Sequence, residues 1–305
     1  MKKILVTGAN GFFGKNLFEA WYDKYELVGI DMPPELFDSG RTRVNPIIYV
    51  CDIREDMHLI HQYLKGVDVV VHCAARARIE PSWKDYEDYY DTNITASQSL
   101  FRMCQLQGVK RFIYFSSSSV YGNNGCIPQK ESDPLCPTNP YAVSKMAAEA
   151  ALRVQALKGD TELIIVRPFT MYGDYMSFGT YGLVIAKFIR SYQKDEPLML
   201  DGGGQQTRDF VHVSDAIDAL ELVMLKGKHN EVYNIGSGTV VSVKELADCV
   251  SKKQIVTPHR TGAVETTHAD ITKLAALGYS PKQQVLEWLT AYMEKHILVE
   301  SFIKP

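Results

Sequence analysis

The stretch that decides the fold is Ile4-Leu-Val-Thr-Gly8-Ala-Asn-Gly11-Phe-Phe-Gly14. A short apolar run at residues 4–6 leads directly into three glycines, and an amphipathic segment at residues 15–22 follows. This order predicts a strand, a glycine loop and a helix. Glycine permits the tight turn and lets the backbone approach a diphosphate, while free N–H groups at the helix N-terminus attract the anion. The stretch therefore predicts a dinucleotide-binding unit.

A carboxylate stands at the end of the second predicted strand. Residues 26–30 form that strand, and Asp31 follows it, 17 residues after Gly14. At this place a carboxylate can accept hydrogen bonds from the adenosine ribose hydroxyls. It would also repel a 2′-phosphate, so the sequence favours NAD over NADP. Arg41 or Arg43 in the following loop could reverse that preference.

Continuous apolar runs recur through the first half of the chain, as expected of parallel strands that are covered on both faces. The third to sixth predicted strands are residues 47–50, 67–73, 109–116 and 163–166. Predicted helices lie between and after them, at residues 56–65, 82–107, 140–158 and 282–294. The alternation predicts an α/β fold with a doubly wound parallel sheet of the Rossmann type.

A smaller α/β lobe is expected to interrupt this pattern. Glycine and proline are dense at residues 168–182 and 201–207, where the sheet pattern breaks. The predicted NAD-binding domain comprises residues 1–168 and about 211–239. The predicted substrate-binding lobe comprises residues 169–210 and 240–305, so the two units interleave along the chain.

Two motifs place reactive side chains together. In Tyr141-Ala-Val-Ser-Lys145, positions i and i+4 share one helix face. A phenol has a pKa of about 10, and a cation within roughly 4 to 6 Å favours the phenolate. We therefore expect Lys145, with a cationic nicotinamide ring, to lower the pKa of Tyr141. The serine run 116–119 lies at the end of the fifth predicted strand, where a hydroxyl could relay the proton. The alternative is a solvated helix face.

Several motifs occur together and in order, and their combination is far more specific than any one of them. They are Gly8 to Gly14, Asp31, Asp52-Ile53, Ala74-Ala75, Asn93, Ser116-Ser-Ser-Ser-Val-Tyr-Gly122 and Tyr141-x-x-x-Lys145. In this combination the chain resembles the extended short-chain dehydrogenase/reductases. More narrowly it is similar to the nucleotide-sugar epimerases and dehydratases, which include the UDP-glucose 4-epimerases.

The resemblance implies a cofactor, a substrate and a set of binding residues. NAD is the implied cofactor, and a nucleotide-activated hexose, with UDP the expected nucleotide, is the implied substrate. The implied NAD-binding residues are Gly8, Asn10, Gly11, Phe12, Phe13, Gly14, Asp31, Asp52, Ile53, Ala74, Ala75, Asn93, Tyr141, Lys145 and Pro168.

Catalytic roles follow from the same resemblance. Tyr141 would act as the base, Lys145 would hold the nicotinamide ribose, and Ser117 would share the proton. The implied reaction is epimerisation at C4 through a transient 4-keto sugar. Dehydratases of the family carry Asp-Glu where this chain has Ser118-Ser119, so a 4,6-dehydratase is disfavoured, as is a Ser-Glu decarboxylase. A 4-keto-sugar reductase is the main alternative, and a non-catalytic NAD-binding sensor is the third.

The implied substrate-binding residues lie mostly in the second half of the chain. They are Ser118, Thr170, Arg208, Arg260 and Thr267. Arg208 and Arg260 match diphosphate-binding arginines, although Arg208 could instead form an ion pair with Asp209 or Asp215. Thr170 replaces the usual asparagine.

Two further positions bear on the sugar. Thr267 stands where a bulky tyrosine restricts the pocket of some UDP-galactose 4-epimerases, so its small side chain suggests that an N-acetylated hexose is admitted. Arg76 and Arg78 lie where the family lines the cofactor and sugar cleft. They could bind an additional carboxylate, or they could be solvated.

Composition excludes other classes of partner and site. The net charge is −3 with no basic tract, which argues against nucleic acid or an anionic membrane. Six scattered cysteines lack metal-binding spacing and suggest reduced thiols, and no segment approaches the roughly 20 apolar residues of a membrane span. We expect a cytoplasmic protein without a metal. The resemblance implies a homodimer formed by the helices at 82–107 and 140–158, unless their apolar faces only cover the sheet.

Overall fold

A computed structural model of the chain describes residues 1–33, 42–44, 46–178, 183–258 and 264–303, with side chains as far as residue 295. Within these residues, seven strands form one sheet in which every neighbouring pair is parallel. In chain order they are β1 (Lys3–Thr7), β2 (Glu26–Asp31), β3 (Ile48–Val50), β4 (Val69–His72), β5 (Arg111–Phe115), β6 (Glu162–Pro168) and β10 (Val232–Ile235). Their order across the sheet is β10-β6-β5-β4-β1-β2-β3.

The strand order reverses between β1 and β4, which opens a crevice at their carboxyl ends. Helices cover both faces of this sheet, so the predicted doubly wound α/β fold is confirmed. The covering helices are α1 (Phe12–Trp21), α2 (Met57–Tyr63), α5 (Ser97–Leu106), α6 (Pro140–Gln155) and α8 (Val213–Lys226).

Alternation along the strands explains why the apolar runs are continuous. Ile4 and Val6 of β1 pack in the core that contains α1 and α8, whereas Leu5 packs in the core that contains α2, α5 and α6. Successive side chains of a strand point to opposite faces, so a sheet with two covered faces needs apolar residues at every position. All three of these side chains are fully buried.

A second group of elements lies outside the large sheet and has its own core. Its strands are β7 (Thr170–Tyr172), β8 (Leu198–Asp201), β9 (Thr207–His212), β11 (Val240–Ser242), β12 (Gln254–Thr257) and β13 (Thr266–Thr267). Its helices are α7 (Val184–Gln193), α9 (Val243–Val250) and α11 (Val285–Ile303), and the short α10 (Thr272–Ala275) adjoins β10. Strand β9 is central, because β7, β11 and β13 all pair with it. The domain boundaries given above stay predictions.

One predicted helix is wrong. The segment 82–107 is divided into α3 (Ile79–Ser82), α4 (Tyr86–Tyr90), a π-helical turn (Asp91–Ala96) and α5. The wider π turn carries Asn93, whose side chain accepts the backbone N–H of Arg76 and donates to the Arg76 carbonyl and to Ser144 Oγ. A π turn inside a helix often marks a functional site. The last helix also begins later than predicted, at Val285.

Gly122 occupies a backbone conformation that other residues resist. It follows the serine run with φ +53°, and a Cβ at this position would overlap the carbonyl oxygen of Cys136. Gly125 also has a positive φ, +76°, but a Cβ there would meet no atom within 4 Å. The pair therefore separates steric overlap from backbone strain.

We expect Gly122→Ala to lower the free energy of unfolding by at least about 2 kcal/mol more than Gly125→Ala does, because overlap adds to the strain common to both. Urea denaturation of the two variants measures the difference. Gly125→Ala is the control and should cost about 1 kcal/mol, the strain of a positive φ alone. Equal losses in the two variants would contradict the assignment.

Candidate active site

The glycine loop between β1 and α1 is shaped for a diphosphate. Gly8 has φ +74°, and a Cβ there would lie 2.8 Å from the backbone nitrogen of Ala74. A Cβ on Gly14 would overlap the carbonyl oxygen of Gly8, so α1 can approach the loop only with glycine at this position. The ring of Phe13 packs 4.6 Å from that of Phe115, which fixes the start of α1 against β5. The loop therefore presents backbone rather than side chains to a ligand.

Asp31 is tied to this loop. Its carboxylate accepts the backbone N–H groups of Asn10 and Met32, each at 2.7 Å, and the side chain of Asn10 donates to the Met32 carbonyl at 3.0 Å. Burial raises the pKa of Asp31 to about 6, although these N–H groups and the nearby Lys15 oppose the rise. The predicted ribose-binding carboxylate thus lies at the carboxyl end of β2, beside the loop.

One of the two arginines that could have favoured a 2′-phosphate lies within the described residues. Arg43 forms an ion pair with Asp174 at 2.9 Å, and Arg41 lies outside the described residues. The guanidinium of Arg43 is thus paired with a carboxylate, and Asp31 supplies the acidic group that NAD requires at the end of β2.

The carboxyl ends of β1 and β4 are joined by a chain of hydrogen bonds. Thr7 Oγ1 accepts the backbone N–H of Ala74 at 3.0 Å and lies 2.7 Å from His72 Nδ1. The other ring nitrogen of His72 lies 2.9 Å from Ser97 Oγ. Burial lowers the pKa of His72 to about 3, so the ring is neutral at physiological pH. This chain fixes the backbone from which Ala74 and Ala75 face the crevice.

Asp52 and Ile53, which follow β3, are placed differently from each other. The guanidinium of Arg54 donates three hydrogen bonds to the carboxylate of Asp52, the shortest at 2.8 Å, and this arginine lowers the pKa of Asp52. Arg54 also contacts Asp88. The side chain of Ile53 is buried against the α2 side of the sheet. Asp52 can therefore bind a cofactor only while it shares its carboxylate with Arg54.

Tyr141 and Ser117 meet at the carboxyl end of β5. The amide oxygen of Asn139 caps α6 by accepting the backbone N–H of Ala142 at 2.9 Å, and Pro140 occupies the first turn. Tyr141 follows on the buried face of the helix. The Ser117 hydroxyl acts to lower the pKa of Tyr141, so the two groups are neighbours, and it donates a hydrogen bond to Ser119 Oγ at 3.1 Å. Ser118 begins the short 3-10 turn Ser118–Tyr121 beside them.

Lys145 is buried one helical turn further along α6. Its ammonium donates to the carbonyl oxygen of Phe115 at 2.7 Å and lies 4.9 Å from the ring centre of Tyr114. Burial lowers the pKa of Lys145 to about 8, although the nearby Glu149 opposes the shift. The ammonium is therefore fixed at the end of β5, within the same buried face as Tyr141.

The expected effect of Lys145 and a cationic nicotinamide ring on the Tyr141 pKa stays a prediction. In the protein alone, burial raises the pKa of Tyr141, and the neighbouring Ser117 hydroxyl and the charge of Arg78 oppose the rise. Spacing on a helix predicted the shared face but not the cost of removing a phenolate from water.

A buried polar network that the sequence did not reveal lies behind the site. Arg167 of β6 and Glu149 of α6 form an ion pair at 2.6 Å, and each side chain is 4% exposed. Ser116 Oγ donates to Glu149, and Arg167 donates to the Tyr121 hydroxyl at 3.0 Å. That hydroxyl in turn donates to Asn234 of β10 at 2.6 Å. The network links β5, α6, β6 and β10.

Arg208 is presented on β9 without a carboxylate partner among the described residues. Its guanidinium donates to the backbone carbonyls of Thr207 at 2.7 Å, Glu265 at 3.0 Å and Val264. Burial lowers the pKa of Arg208, since the charge is partly removed from water. A cation held in this way suits a diphosphate.

The alternative ion pair for Arg208 is excluded by what its candidate partners bind. Asp209 accepts the backbone N–H groups of Ser237, Gly238 and Ala269, at 2.7 to 3.1 Å. Asp215 accepts those of Lys282 and Gln283. Both carboxylates therefore already accept hydrogen bonds from backbone N–H groups of the loops around β9.

The remaining predicted substrate residues are distributed as follows. Thr267 of β13 pairs with Arg208 of β9, so the proposed gate lies beside the proposed diphosphate site. Thr170 of β7 pairs with Phe210 of β9, and Pro168 ends β6 opposite Ile235. Arg260 lies outside the described residues.

Three further observations concern predicted absences. Within the described residues, no group of three or more His, Cys, Asp or Glu side chains could hold a metal ion. No described helix is both long enough and apolar enough to cross a membrane. The six cysteines are free thiols.

Comparison with known proteins identifies the family. The model of the NAD dependent epimerase/dehydratase family matches residues 4–236, which include the glycine loop, Asp31, the serine run and the Tyr-Lys pair. The chain belongs to this family. The match confirms the predicted recognition and the predicted cofactor, NAD, for this epimerase/dehydratase family member.

Relatives and solved structures cover almost the whole of this family member. An uncharacterised UDP-glucose epimerase of Bacillus subtilis is 31% identical, over 94% of this chain and 96% of its own length. The UDP-glucose 4-epimerase of Thermotoga maritima, solved with UDP-glucose, has 29% identity and a TM-score of 0.87, covering 97% of this chain and 99% of its own. A UDP-N-acetylglucosamine 4-epimerase of Methanobrevibacter ruminantium, solved with UDP-N-acetylmuramic acid, has 28% identity and a TM-score of 0.88, with coverages of 97% and 98%.

These similarities bear out the predicted enzyme class, an NAD-dependent epimerase of the extended short-chain dehydrogenase/reductase type. The roles given to single residues remain predictions.

Binding of NAD should depend on pH through Asp31. With a pKa of about 6 the carboxyl is ionised at pH 7 and mostly protonated at pH 5, and a protonated group cannot accept hydrogen bonds from both ribose hydroxyls. We expect the NAD dissociation constant to rise about tenfold between pH 7 and pH 5, because binding must then displace a proton. Titration calorimetry measures this.

Asp31→Asn is the control for that titration, because its amide does not ionise. The variant should bind NAD more weakly at pH 7 and show no pH dependence over the same range. A wild-type affinity that stays constant from pH 7 to pH 5 would rule out Asp31 as the ribose-binding group.

Proposed function

We propose that the protein epimerises C4 of a nucleotide-activated hexose, with UDP as the nucleotide, through a transient 4-keto sugar. The observation that supports the proposal is that the side chains of Tyr141, Ser117 and Lys145 are buried close together at the carboxyl end of β5. The glycine loop and Phe13 adjoin them on one side. The relatives named above, with UDP-glucose or a UDP-N-acetyl sugar in their structures, support the choice of substrate class.

The side chains divide the proton chemistry among them. NAD, when bound, supplies the hydride acceptor and donor. Tyr141 takes the proton from the C4 hydroxyl, and the neighbouring Ser117 shares that proton. Because burial raises the pKa of Tyr141, the phenolate needs nearby positive charge, and we assign this role to the ammonium of Lys145 on the same face of α6. The proton returns from the same phenol, so no external acid is required.

Elimination of water is disfavoured by the carboxylates near the site. Ser118 and Ser119 are neutral and cannot act as the acid and base of a 4,6-dehydratase. The carboxylate of Glu149 forms an ion pair with Arg167 and accepts a hydrogen bond from Ser116, so it is not available as a catalytic acid or base. A 4-keto-sugar reductase needs neither group and is the second candidate.

Thr267 favours a wide sugar pocket. It lies next to Arg208 across the β9–β13 pair, and its side chain is much smaller than a tyrosine. We infer that the pocket admits an N-acetyl group, so UDP-GlcNAc and UDP-GalNAc should both be substrates.

The protein, loaded with NAD, should be incubated with UDP-glucose, UDP-GlcNAc and UDP-GalNAc without added reductant, and the products identified by NMR. We expect the C4 epimer of each sugar and no net change in absorbance at 340 nm, because the cofactor is regenerated. A reductase would act only on a 4-keto sugar with reduced cofactor, and a sensor would do neither. If neither UDP-GlcNAc nor UDP-GalNAc is turned over, the inference about Thr267 is refuted.

Variants of Tyr141 test the base directly. Tyr141→Phe should lower kcat by about 10² to 10⁴-fold, the contribution of a general base, and leave NAD binding within threefold. Tyr86→Phe is the matched control, since Tyr86 is exposed on α4 and its ring contacts Tyr90. Full activity of Tyr141→Phe would refute the proposed mechanism.

A homodimer is proposed through α5 and α6. Leu100 of α5 is fully buried on the sheet, whereas Val154 of α6 is 68% exposed. Leu106 of α5 is likewise 62% exposed. Each helix thus keeps a large apolar side chain away from the sheet, and a second copy would bury both.

Light scattering should give twice the 34.4 kDa chain mass. Val154→Glu should shift the population toward the monomer, because it places a charge in the apolar interface. Leu225→Glu, at an exposed residue of α8 on the other side of the sheet, should not. A monomeric wild type would contradict the dimer.

The free thiols also support a cytoplasmic location, and supply of a sugar for polysaccharide biosynthesis is the proposed role.

A further inference from the structure

Arg78 is held beside the proposed catalytic base. Its backbone carbonyl accepts the hydroxyl of Tyr89 at 2.5 Å. The ring of Tyr89 packs edge-on against the ring of Tyr141, with the centres 6.4 Å apart. Asn93 fixes the preceding backbone at Arg76 through two hydrogen bonds. The segment that carries Arg78 is thus anchored to the wall of the site.

The guanidinium of Arg78 differs from those of its neighbours. Arg76 forms an ion pair with Asp88 at 2.6 Å, and Arg54 contacts both Asp52 and Asp88. Arg78 has no carboxylate partner within the part of the chain that the structure describes. The phenols of Tyr89 and Tyr141 lie beside it and act to raise its pKa.

A half-buried cation without a counter-ion is costly, and a ligand anion can remove that cost. Burial lowers the pKa of Arg78, which reflects this partial loss of water. An arginine is not deprotonated at physiological pH, so the charge persists. Arg78 is therefore a persistent positive charge on the segment that Tyr89 links to the ring of Tyr141.

The position of Tyr141 limits which anion Arg78 can meet, and here the inference rests on the proposed function. If Tyr141 contacts the C4 oxygen, the groups nearest to Arg78 are the substituents of C4 and of its ring neighbours. The diphosphate is attached to C1, across the ring, and Arg208 on β9 is available for it. A carboxylate on C5 is adjacent to C4 and matches the planar fork of a guanidinium.

We propose that Arg78 binds a C5 carboxylate of the sugar, and that the preferred substrate is a UDP-hexuronic acid rather than a neutral UDP-hexose. Arg78 is then a specificity-determining residue that acts on one substituent of the ring. The rival role is purely electrostatic, in which Arg78 only favours the phenolate of Tyr141. That role would affect neutral and acidic sugars equally.

The test compares UDP-glucuronic acid with UDP-glucose, which differs from it only in the C5 substituent. Initial rates of epimerisation and dissociation constants are measured for both, with the NAD-loaded wild type and the variants Arg78→Gln, Arg78→Lys and Arg76→Gln. Arg76→Gln is the matched control, two residues away, because its guanidinium is occupied by Asp88.

We expect the wild type to have at least tenfold higher kcat/KM for UDP-glucuronic acid than for UDP-glucose. Arg78→Gln should lower kcat/KM for the acidic sugar ten- to a hundredfold, mostly through KM, the loss expected for a charge-assisted hydrogen-bonded pair. For UDP-glucose the loss should be at least about fivefold smaller than for the acidic sugar, because a neutral C5 substituent offers no carboxylate to Arg78. Arg78→Lys should retain part of the preference, since it keeps the charge but not the fork. Arg76→Gln should match the wild type on both sugars.

Two results would overturn the proposal. One is a wild type that prefers UDP-glucose. The other is an Arg78→Gln variant that loses activity equally on both sugars, with the pH profile of kcat displaced upward, as the electrostatic role requires. If no sugar is epimerised, the proposed function fails, and the dissociation constants still decide the inference: Arg78→Gln must weaken binding of UDP-glucuronic acid selectively.

Discussion

The buried ion pair between Arg167 and Glu149 is the contact on which the geometry of the site depends. It joins the last strand before the substrate lobe to the helix that carries Tyr141 and Lys145, and both side chains are almost inaccessible to water. Removal of one partner from such a pair costs about 3 to 5 kcal/mol, because the other charge is left uncompensated. Ser116, at the end of β5, is held by the same carboxylate. The phenol, the ammonium and the serine run therefore share one electrostatic support.

The two halves of the crevice are built on different principles. On the cofactor side, backbone N–H groups and one carboxylate, Asp31, form the surface, and glycines keep side chains out of it. On the substrate side, Arg208 projects from β9 and is held by backbone carbonyls. Asp209, the next residue, points to the opposite face and joins three distant N–H groups. Alternation along a single strand thus separates a ligand-facing cation from a structural anion.

Most of the sheet could be predicted from the sequence because its strands are apolar on both faces, as in Val69-Val-Val71 of β4. Strand β10 was not predicted. It lies at the edge of the sheet and carries Asn234, a fully buried polar residue whose side chain donates to the carbonyl of Gln129 and accepts a hydrogen bond from the hydroxyl of Tyr121. The π turn around Asn93 was not predicted, because one additional residue in a helical turn does not change the apolar periodicity enough to be recognised. A long-range polar network has no local signature.

The sequence predicted which residues form the candidate site better than it predicted how burial changes their pKa values. Motif order located Tyr141, Ser117 and Lys145, and the structure brings them together. The direction of the Tyr141 pKa shift could not follow from spacing, since it depends on how much water the fold excludes. The ion pair between Arg208 and Asp209, which the sequence left open, could have been discounted. Residues adjacent in sequence on a strand face away from each other.

The position of β10 has a consequence for biosynthesis of the chain. This strand covers the edge of β6, yet it is translated only after the elements from β7 to α8. Until the ribosome has released residue 235, the apolar edge of β6 lacks its neighbour and can pair with other nascent chains. The interleaved topology thus leaves this edge without its partner until a late stage of synthesis, long after the residues of the glycine loop have been translated.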